Sequence, residues 1–130
     1  KMATNIMLQN KTSGSIINIA SILGERVGLN LTSYASGKAA LVQLTKSMAL
    51  ELARSNIRVN ALSPGYILTE INEDFFQTDE GQSYIKKIPM NRLGLEEDLD
   101  GALLLLASES SSFITGSVIT IDGGHVINPL

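Results

Sequence analysis

Three short apolar runs alternate with longer stretches of helical character along the chain. The runs cover residues 15–20, 57–62 and 117–121 and are rich in isoleucine, valine and alanine. Such runs, when bounded by glycine or polar segments, are typical of strands buried on both faces of a parallel sheet. We therefore predict a strand at each position. Ser63-Pro64-Gly65 is expected to end the second strand, because proline cannot donate to a sheet ladder.

Apolar residues between the strands recur at helical spacing. The longest predicted helix covers 32–55, with Thr32 or Ser33 as its N-cap. Its apolar positions are too many for one face, so we predict two buried faces, one against the sheet and one against a helix of a partner subunit. Helices are also predicted over 1–11 and 95–107, and the apolar run 102–107 is expected to lie in the core.

The stretch 66–89 is polar, mixed and only weakly helical, with short helices predicted over 70–76 and 80–87. It directly follows the end of a strand, where a long insertion suits a mobile lid over a ligand. Its aromatic residues Phe75, Phe76 and Tyr84 either face an apolar substrate or pack the lid. Strands that alternate with helices in this order predict an α/β fold with a parallel sheet and right-handed crossovers.

Composition excludes several kinds of site and partner. The 130 residues make one domain at most, and a net charge of −3 without a basic block argues against a nucleic-acid partner. The longest apolar run is too short to cross a bilayer. The absence of cysteine and the single histidine exclude disulfides, thiolate zinc sites and multi-histidine metal sites within one chain. No secretory signal pattern is visible, and we expect a cytoplasmic protein without a membrane partner.

Tyr34 and Lys38 open the long predicted helix four residues apart, so their side chains lie on one face, one turn apart. A phenol is a poor base at neutral pH because it ordinarily loses its proton only near pH ~10. A cation beside it favours the phenolate and makes proton exchange with a substrate oxygen feasible. The pair alone is weak evidence, since a tyrosine packed on a lysine stem is common on helix surfaces.

The pair belongs to a longer ordered set of residues. In chain order the set comprises Ser21, Tyr34, Lys38, the run Asn60-Ala61-Leu62-Ser63-Pro64-Gly65, Thr69, Thr115-Gly116 and Asp122-Gly123-Gly124. This set resembles the short-chain dehydrogenase/reductase family along almost the whole chain. It is most similar to the classical branch of that family, which includes 3-oxoacyl-carrier-protein reductases and gluconate or other sugar dehydrogenases.

The resemblance implies an enzyme that interconverts a secondary alcohol and a ketone with NAD or NADP as cofactor. It implies Tyr34 as general acid in reduction and base in oxidation, with Lys38 supporting it and bonding the nicotinamide ribose. Ser21 would hold and polarise the substrate oxygen. The residues implied to line the nicotinamide pocket are Pro64, Gly65, Ile67 and Thr69. A homodimer or homotetramer is implied, formed through the 32–55 helix and the C-terminal strand.

The family's glycine-rich cofactor fingerprint does not occur in the sequence. The adjacent glycines at 123 and 124 open no predicted helix, whereas a dinucleotide site needs a glycine-rich turn between a strand and a helix. We therefore expect residues 1–130 to form the C-terminal portion of one Rossmann-type domain, a doubly wound parallel sheet, with a lid at about 66–89. The first strand would then present an open apolar edge, which predicts aggregation of the chain alone.

The sequence leaves two alternatives to the dehydrogenase. One is a non-catalytic truncated fragment that acts only as an oligomerising or structural module. The other is a serine hydrolase built on Ser21, which is disfavoured because the sequence has no Gly-x-Ser-x-Gly elbow and His125 lies in a glycine-containing turn at the far end. Asn18 and Asn60 are expected to be structural, and His125 is expected at the surface or in a subunit contact.

Overall fold

The computed structural model describes residues 2–128 and shows a three-stranded parallel sheet with helices on both faces. Strands β1 (Gly14–Ile19), β2 (Ile57–Pro64) and β3 (Val118–Ile121) lie in the order β1-β2-β3. Both neighbouring pairs are parallel. The predicted fold class and the three predicted strands are therefore confirmed.

Five α-helices surround the sheet in the described part of the chain. They are α1 (Met2–Asn10), α2 (Thr32–Leu52), α3 (Glu73–Gln77), α4 (Asp79–Ile85) and α5 (Asp100–Ala107). A 3₁₀ turn, Ala53–Ser55, follows α2, and another, Glu96–Leu99, precedes α5. None of the helices within 2–128 has the length and apolar character needed to span a membrane.

Two side chains of β1 show that α2 and α5 cover opposite faces of the sheet. The amide of Asn18 donates to Thr45 Oγ1 on α2 at 2.9 Å, and the hydroxyl of Ser15 donates to the Leu106 carbonyl on α5 at 2.7 Å. Side chains three residues apart on a strand point to opposite faces, so one helix lies on each side. The arrangement is a three-layer sandwich of the doubly wound type.

The core lies between α2 and β2. Its buried cluster comprises Ala49, Leu52, Ile57 and Val59. Asn60 is fully buried beside it, donates to the Ile114 carbonyl at 2.9 Å and accepts from the Ser117 N–H at 3.0 Å. These bonds tie the chain before β3 to β2, which confirms the structural role expected for Asn60.

The predicted break at Ser63-Pro64-Gly65 is wrong in its position, because β2 continues through Ser63 and Pro64, which pair with Thr120 and Ile121. The N–H groups of Ala61 and Gly65 donate to the carbonyls of Ser117, just before β3, and of Ile121 in β3, so the nitrogen of Pro64 faces the β1 side. The paired residues of β1 end earlier, at Ile19 opposite Leu62. The donor that proline lacks therefore breaks no ladder bond.

Two details of the helices also differ from expectation. Leu31, rather than Thr32 or Ser33, is the N-cap of α2, and it makes no side-chain capping bond. The apolar run 102–107 does not lie in the core as a whole: Leu106 is fully buried, but Leu104 is 66% exposed and its two neighbours are partly exposed. The short helix α5 covers the sheet with one face, and no described residue covers the other. The second face of α2, with Leu44 and Leu50, is likewise open in the single chain.

Candidate active site

The carboxyl ends of β1 and β2 meet at one edge of the sheet, where Ser21 follows β1 and Gly65 follows β2. A 3₁₀ turn, Ile22–Gly24, brings the start of α2 to the same edge. A Cβ at Gly24 would lie 3.1 Å from the Lys38 carbonyl oxygen, so the turn and the helix are in close backbone contact. This contact places the Tyr34 turn of α2 beside the strand ends.

Ser21, Tyr34 and Gly65 line one pocket of about 290 Å³. Ser21 is buried, whereas Tyr34 is about half exposed. The Ser21 hydroxyl accepts the Leu23 N–H at 3.2 Å, which caps the 3₁₀ turn. A hydroxyl that accepts one bond keeps its own proton to donate, and a substrate oxygen in the pocket is a suitable acceptor.

Lys38 lies next to Tyr34, as the four-residue spacing predicts. Its Nζ donates to the Ile19 carbonyl oxygen at 2.8 Å and lies 5.5 Å from the centroid of the Tyr34 ring. The ammonium carries three donors, so two remain after the bond to Ile19. The carbonyl at the end of β1 thus holds a positive charge close to the phenol.

The predicted nicotinamide-pocket residues occupy two neighbouring places. Gly65 lines the pocket of Tyr34, and Pro64 precedes it at the end of β2. Ile67 pairs with Gly94 and lines an adjoining pocket of about 370 Å³. The Thr69 N–H donates to Asn72 Oδ1 at 2.9 Å. Neither Ile67 nor Thr69 lines the pocket of Tyr34 within the described residues.

Gly65 marks a close approach of β2 to the turn at 122–124. A Cβ at Gly65 would lie 2.7 Å from Asp122 Cβ, so no larger residue fits. The Asp122 carboxylate accepts the N–H groups of Gly124 and Val126 at 2.8 and 2.6 Å. The Asp122-Gly123-Gly124 segment is therefore a structural turn, and it supports the floor of the site.

Tyr66 is a site residue that the sequence interpretation missed. It lines both the pocket of Tyr34 and the adjoining one, and its ring packs against the rings of Phe76, Tyr84 and His125 at centroid distances of 5.7, 5.7 and 5.4 Å. Burial, and to a lesser extent Tyr84, raises the pKa of Tyr66, so its phenol stays neutral. The sequence signal that could have indicated Tyr66 is its position directly after Pro64-Gly65, at the end of a predicted strand.

The lid aromatics and His125 form the support of Tyr66. Phe76 is buried, Phe75 packs against both Phe76 and Tyr84, and these rings therefore pack the lid. His125 is only partly exposed, and its Nδ1 is buried without a partner in the described structure, so the side chain is not fully at the surface. The alternative expectation, a subunit contact, stays a prediction. Burial, followed by the positive charge of Arg26, lowers the pKa of His125 below its usual 6.5. The lowered pKa favours the neutral form of the imidazole, which packs against the Tyr66 ring at an interplanar angle of 36°.

Comparison with known proteins decides the family. The family model described as enoyl-(acyl carrier protein) reductase matches residues 1–126. A short-chain type dehydrogenase/reductase from Mycobacterium marinum superposes with a TM-score of 0.87 at 44% identity, over 95% of this chain and 48% of that one. The chain belongs to the short-chain dehydrogenase/reductase family.

Two further members of the short-chain dehydrogenase/reductase family differ in the substrates that their names give. The 3-oxoacyl-[acyl-carrier-protein] reductase of Thermotoga maritima is 40% identical over 127 residues, which are 98% of this chain and 51% of that protein. A gluconate 5-dehydrogenase from Burkholderia cenocepacia J2315, solved with NADP and tartrate, superposes with a TM-score of 0.88 at 35% identity, over 95% of this chain and 48% of that one. The chain spans about half the length of the curated relatives it matches.

Proposed function

We propose that this chain carries the proton-transfer half of an oxidoreductase that moves a hydride between NAD or NADP and a secondary alcohol or ketone. One observation carries the proposal: Ser21 and Tyr34 line the same pocket, and the Lys38 ammonium lies over the Tyr34 ring. A hydroxyl and a phenol in one cavity, with a cation beside the phenol, are the groups needed to hold a carbonyl oxygen and exchange a proton with it.

The residues present fit the nicotinamide end of such a cofactor. In α/β folds, dinucleotides bind at the carboxyl ends of the strands, and Gly65 at the end of β2 lines the same pocket as Tyr34. Pro64 precedes Gly65, and Ile67 lines the adjoining pocket. We propose that these two residues and Thr69 line the nicotinamide site, with the two free donors of Lys38 available to a ribose hydroxyl. When bound, the nicotinamide gives or takes the hydride.

The proton chemistry belongs to the residues of this chain. In reduction, Tyr34 gives its phenolic proton to the substrate oxygen, while the Ser21 hydroxyl donates a hydrogen bond to that oxygen and stabilises the charge that develops there. The Lys38 ammonium, held by the Ile19 carbonyl, places a positive charge beside the Tyr34 ring from which the proton leaves. In oxidation, the same groups act in reverse, and Tyr34 takes the proton.

A pyrophosphate cradle is proposed to lie outside these residues. Within 2–128, no glycine-rich turn joins a strand to a following helix in the manner that binds a pyrophosphate. We infer that residues 1–130 act as the C-terminal portion of one Rossmann-type domain, together with an N-terminal cofactor-binding half. The segment 66–89 is proposed as a lid, since α3 and α4 contact the pocket through Tyr66.

Assembly and location complete the proposal. A homodimer or homotetramer through α2 and the C-terminal strand is supported by Leu44 and Leu50, large apolar side chains that α2 exposes in the single chain. A cytoplasmic location is supported by the absence of cysteine from the sequence.

A second candidate function is a non-catalytic module that only oligomerises. It is favoured by the apolar surface that α2 and α5 leave uncovered and by the edge of β1, which pairs with β2 alone. This candidate needs no ligand in the pocket of Tyr34, so ligand binding and association distinguish the two functions.

The test compares two proteins, the 130-residue chain and a protein in which these residues follow a dinucleotide-binding half. NADH and NADPH are titrated into each with fluorescence detection, association is measured by sedimentation, and turnover of a panel of ketones is followed by loss of reduced cofactor. The proposed function requires binding and turnover by the longer protein. A defined oligomer with neither binding nor turnover in either protein would favour the structural module.

A further inference from the structure

The pocket of Tyr34 also indicates what kind of ketone or alcohol it takes. We propose that the substrate carries an uncharged, apolar substituent beside its reacting carbon, rather than the hydroxyl groups or carboxylate of a sugar acid. The inference rests on the proposed function, because it assigns the remainder of the pocket to the substrate once Ser21 and Tyr34 hold the reacting oxygen.

The loop between β1 and α2 forms an apolar wall of this pocket. Ile22, Leu23 and Leu31 line it. The backbone of Gly28 packs between two of them, since a Cβ there would lie 3.0 Å from Leu31 Cδ1 and 3.5 Å from Leu23 Cδ2. The two leucine side chains therefore lie close to the Gly28 backbone, and together with Ile22 they present a hydrocarbon surface to the substrate.

Few polar groups are left for additional substrate hydroxyls. Apart from Ser21 and Tyr34, the one polar side chain of the described residues that lines the pocket is Tyr66. A hydroxyl placed against the leucine wall would lose its bonds to water without gaining a partner. One hydroxyl in an apolar pocket is disfavoured about 10²-fold relative to the matching hydrocarbon group.

No charged side chain within residues 2–128 lines this pocket. Arg26 lies on the same loop, but its guanidinium donates to the His125 carbonyl oxygen. Lys38 is engaged by the Ile19 carbonyl and lies against the Tyr34 ring. The two remaining donors of Lys38 are proposed for the ribose, and Lys38 is not among the residues that line the pocket. A substrate carboxylate at the leucine wall would thus be desolvated without a cation among the lining side chains of residues 2–128, which disfavours sugar acids further.

The same loop continues the apolar surface outward. Val27 and Leu29 lie between the pocket-lining residues in sequence and are 96% and 94% exposed. Large apolar side chains in full contact with water on a loop that also lines a pocket are suited to cover a ligand. We therefore expect that a longer aliphatic substituent binds more tightly than a short one.

The first experiment uses the protein in which these residues follow a dinucleotide-binding half. It measures kcat/KM of that protein for matched ketones of equal chain length. These are a straight-chain methyl ketone, a ketose and a keto-acid of the sugar series, each with NADH and with NADPH. The inference predicts a preference for the methyl ketone of at least about 10²-fold. Turnover with a preference for the ketose or keto-acid would overturn this inference and leave the proposed function intact. Absence of turnover with all three would count against the proposed function itself.

The second experiment changes the wall. Leu31→Asn, which keeps the size of the side chain and removes its apolar character, is expected to lower the preference for the methyl ketone about tenfold, mainly through KM. Leu104→Asn is the matched control, because Leu104 is an exposed leucine on α5, on the opposite face of the sheet. An unchanged preference in a folded Leu31→Asn protein would overturn the role of the wall. If that variant does not fold, Leu31→Val tests the same wall with a smaller change.

Discussion

At the scale of single residues, His125 shows how burial sets the electrostatics around the pocket. Its ring stacks on Tyr66, its Nδ1 is buried and its carbonyl accepts a bond from Arg26. Burial, and then Arg26, lowers its pKa, while the nearby Asp122 opposes and Lys87 adds to that effect. The folded protein therefore favours the neutral imidazole on which the position of Tyr66 depends.

This lowered pKa predicts a pH dependence of stability. Below the ordinary pKa of 6.5, the unfolded chain binds a proton at His125 that the folded chain binds less readily, so folding becomes less favourable as the pH falls. The stability that depends on a neutral His125 is fully present above pH 6.5 and is lost progressively below it. We expect the free energy of unfolding, measured in urea, to fall between about pH 7.5 and pH 5.5, and to fall less in His125→Phe. An equal fall in both proteins would contradict the assignment.

Among residues, chemistry that is local in sequence was predictable, and chemistry that depends on tertiary contacts was not. Tyr34 and Lys38 meet because a helix brings residues four apart together. Tyr66 is held by Phe76, Tyr84 and His125, and no periodicity predicts that these rings meet. The position of a tyrosine after Pro-Gly suggested a strand end, but only the packing shows that its ring forms a wall of the pocket.

At the scale of elements, the site depends on how closely α2 approaches the turn after β1. Gly24 in that turn lies against the backbone of Lys38 and Ala39. This contact sets how closely α2 approaches the turn that follows Ser21. It thereby sets the position of Tyr34 in the pocket. Gly37 lies within α2 itself, and a Cβ there would meet nothing within 4 Å among the described residues.

The two glycines form a matched pair for mutation. Gly24→Ala is expected to lower the free energy of unfolding by about 1–3 kcal/mol, because the added methyl would crowd helix backbone that cannot yield alone. Gly37→Ala is expected to raise it by about 0.5–1 kcal/mol, since alanine favours the helix and meets no neighbour. Urea unfolding of both variants measures the difference. Equal effects of the two substitutions would contradict the close contact at Gly24.

Elements with a clear period were predicted in the right places, whereas their ends were not. The three strands and α2 follow from hydrophobic spacing.

The start of α5 is an end that spacing did not predict. The Asp98 carboxylate accepts the Leu95 N–H and two donors of Arg92, and a 3₁₀ turn precedes α5 where one continuous helix was predicted. Arg92 lowers the pKa of Asp98 to about 2, so this bond persists across the range in which proteins normally work. Such end structures depend on individual side-chain bonds, which spacing does not encode.

At the scale of the molecule, the described chain combines a cluster of candidate catalytic side chains with apolar surface that it leaves uncovered. The carboxyl ends of the strands gather Ser21, Tyr34 and Lys38, while β1, α2 and α5 leave apolar surface uncovered. The parallel order of the sheet follows from alternating strands and helices. The buried faces of α2 and α5 were predicted less well. An apolar helix face indicates that something covers it, but the sequence does not say which part of an assembly does so.

The central claim is that Tyr34 exchanges the proton with the substrate. Its most direct test is the turnover of Tyr34→Phe in the protein that contains both halves, with Tyr84→Phe, a lid tyrosine that does not line the pocket, as the control. We predict a fall in kcat of about 10²–10⁴-fold for Tyr34→Phe, with the affinity for NADH or NADPH nearly unchanged, and little effect of Tyr84→Phe. Undiminished turnover by a folded Tyr34→Phe protein would contradict the account.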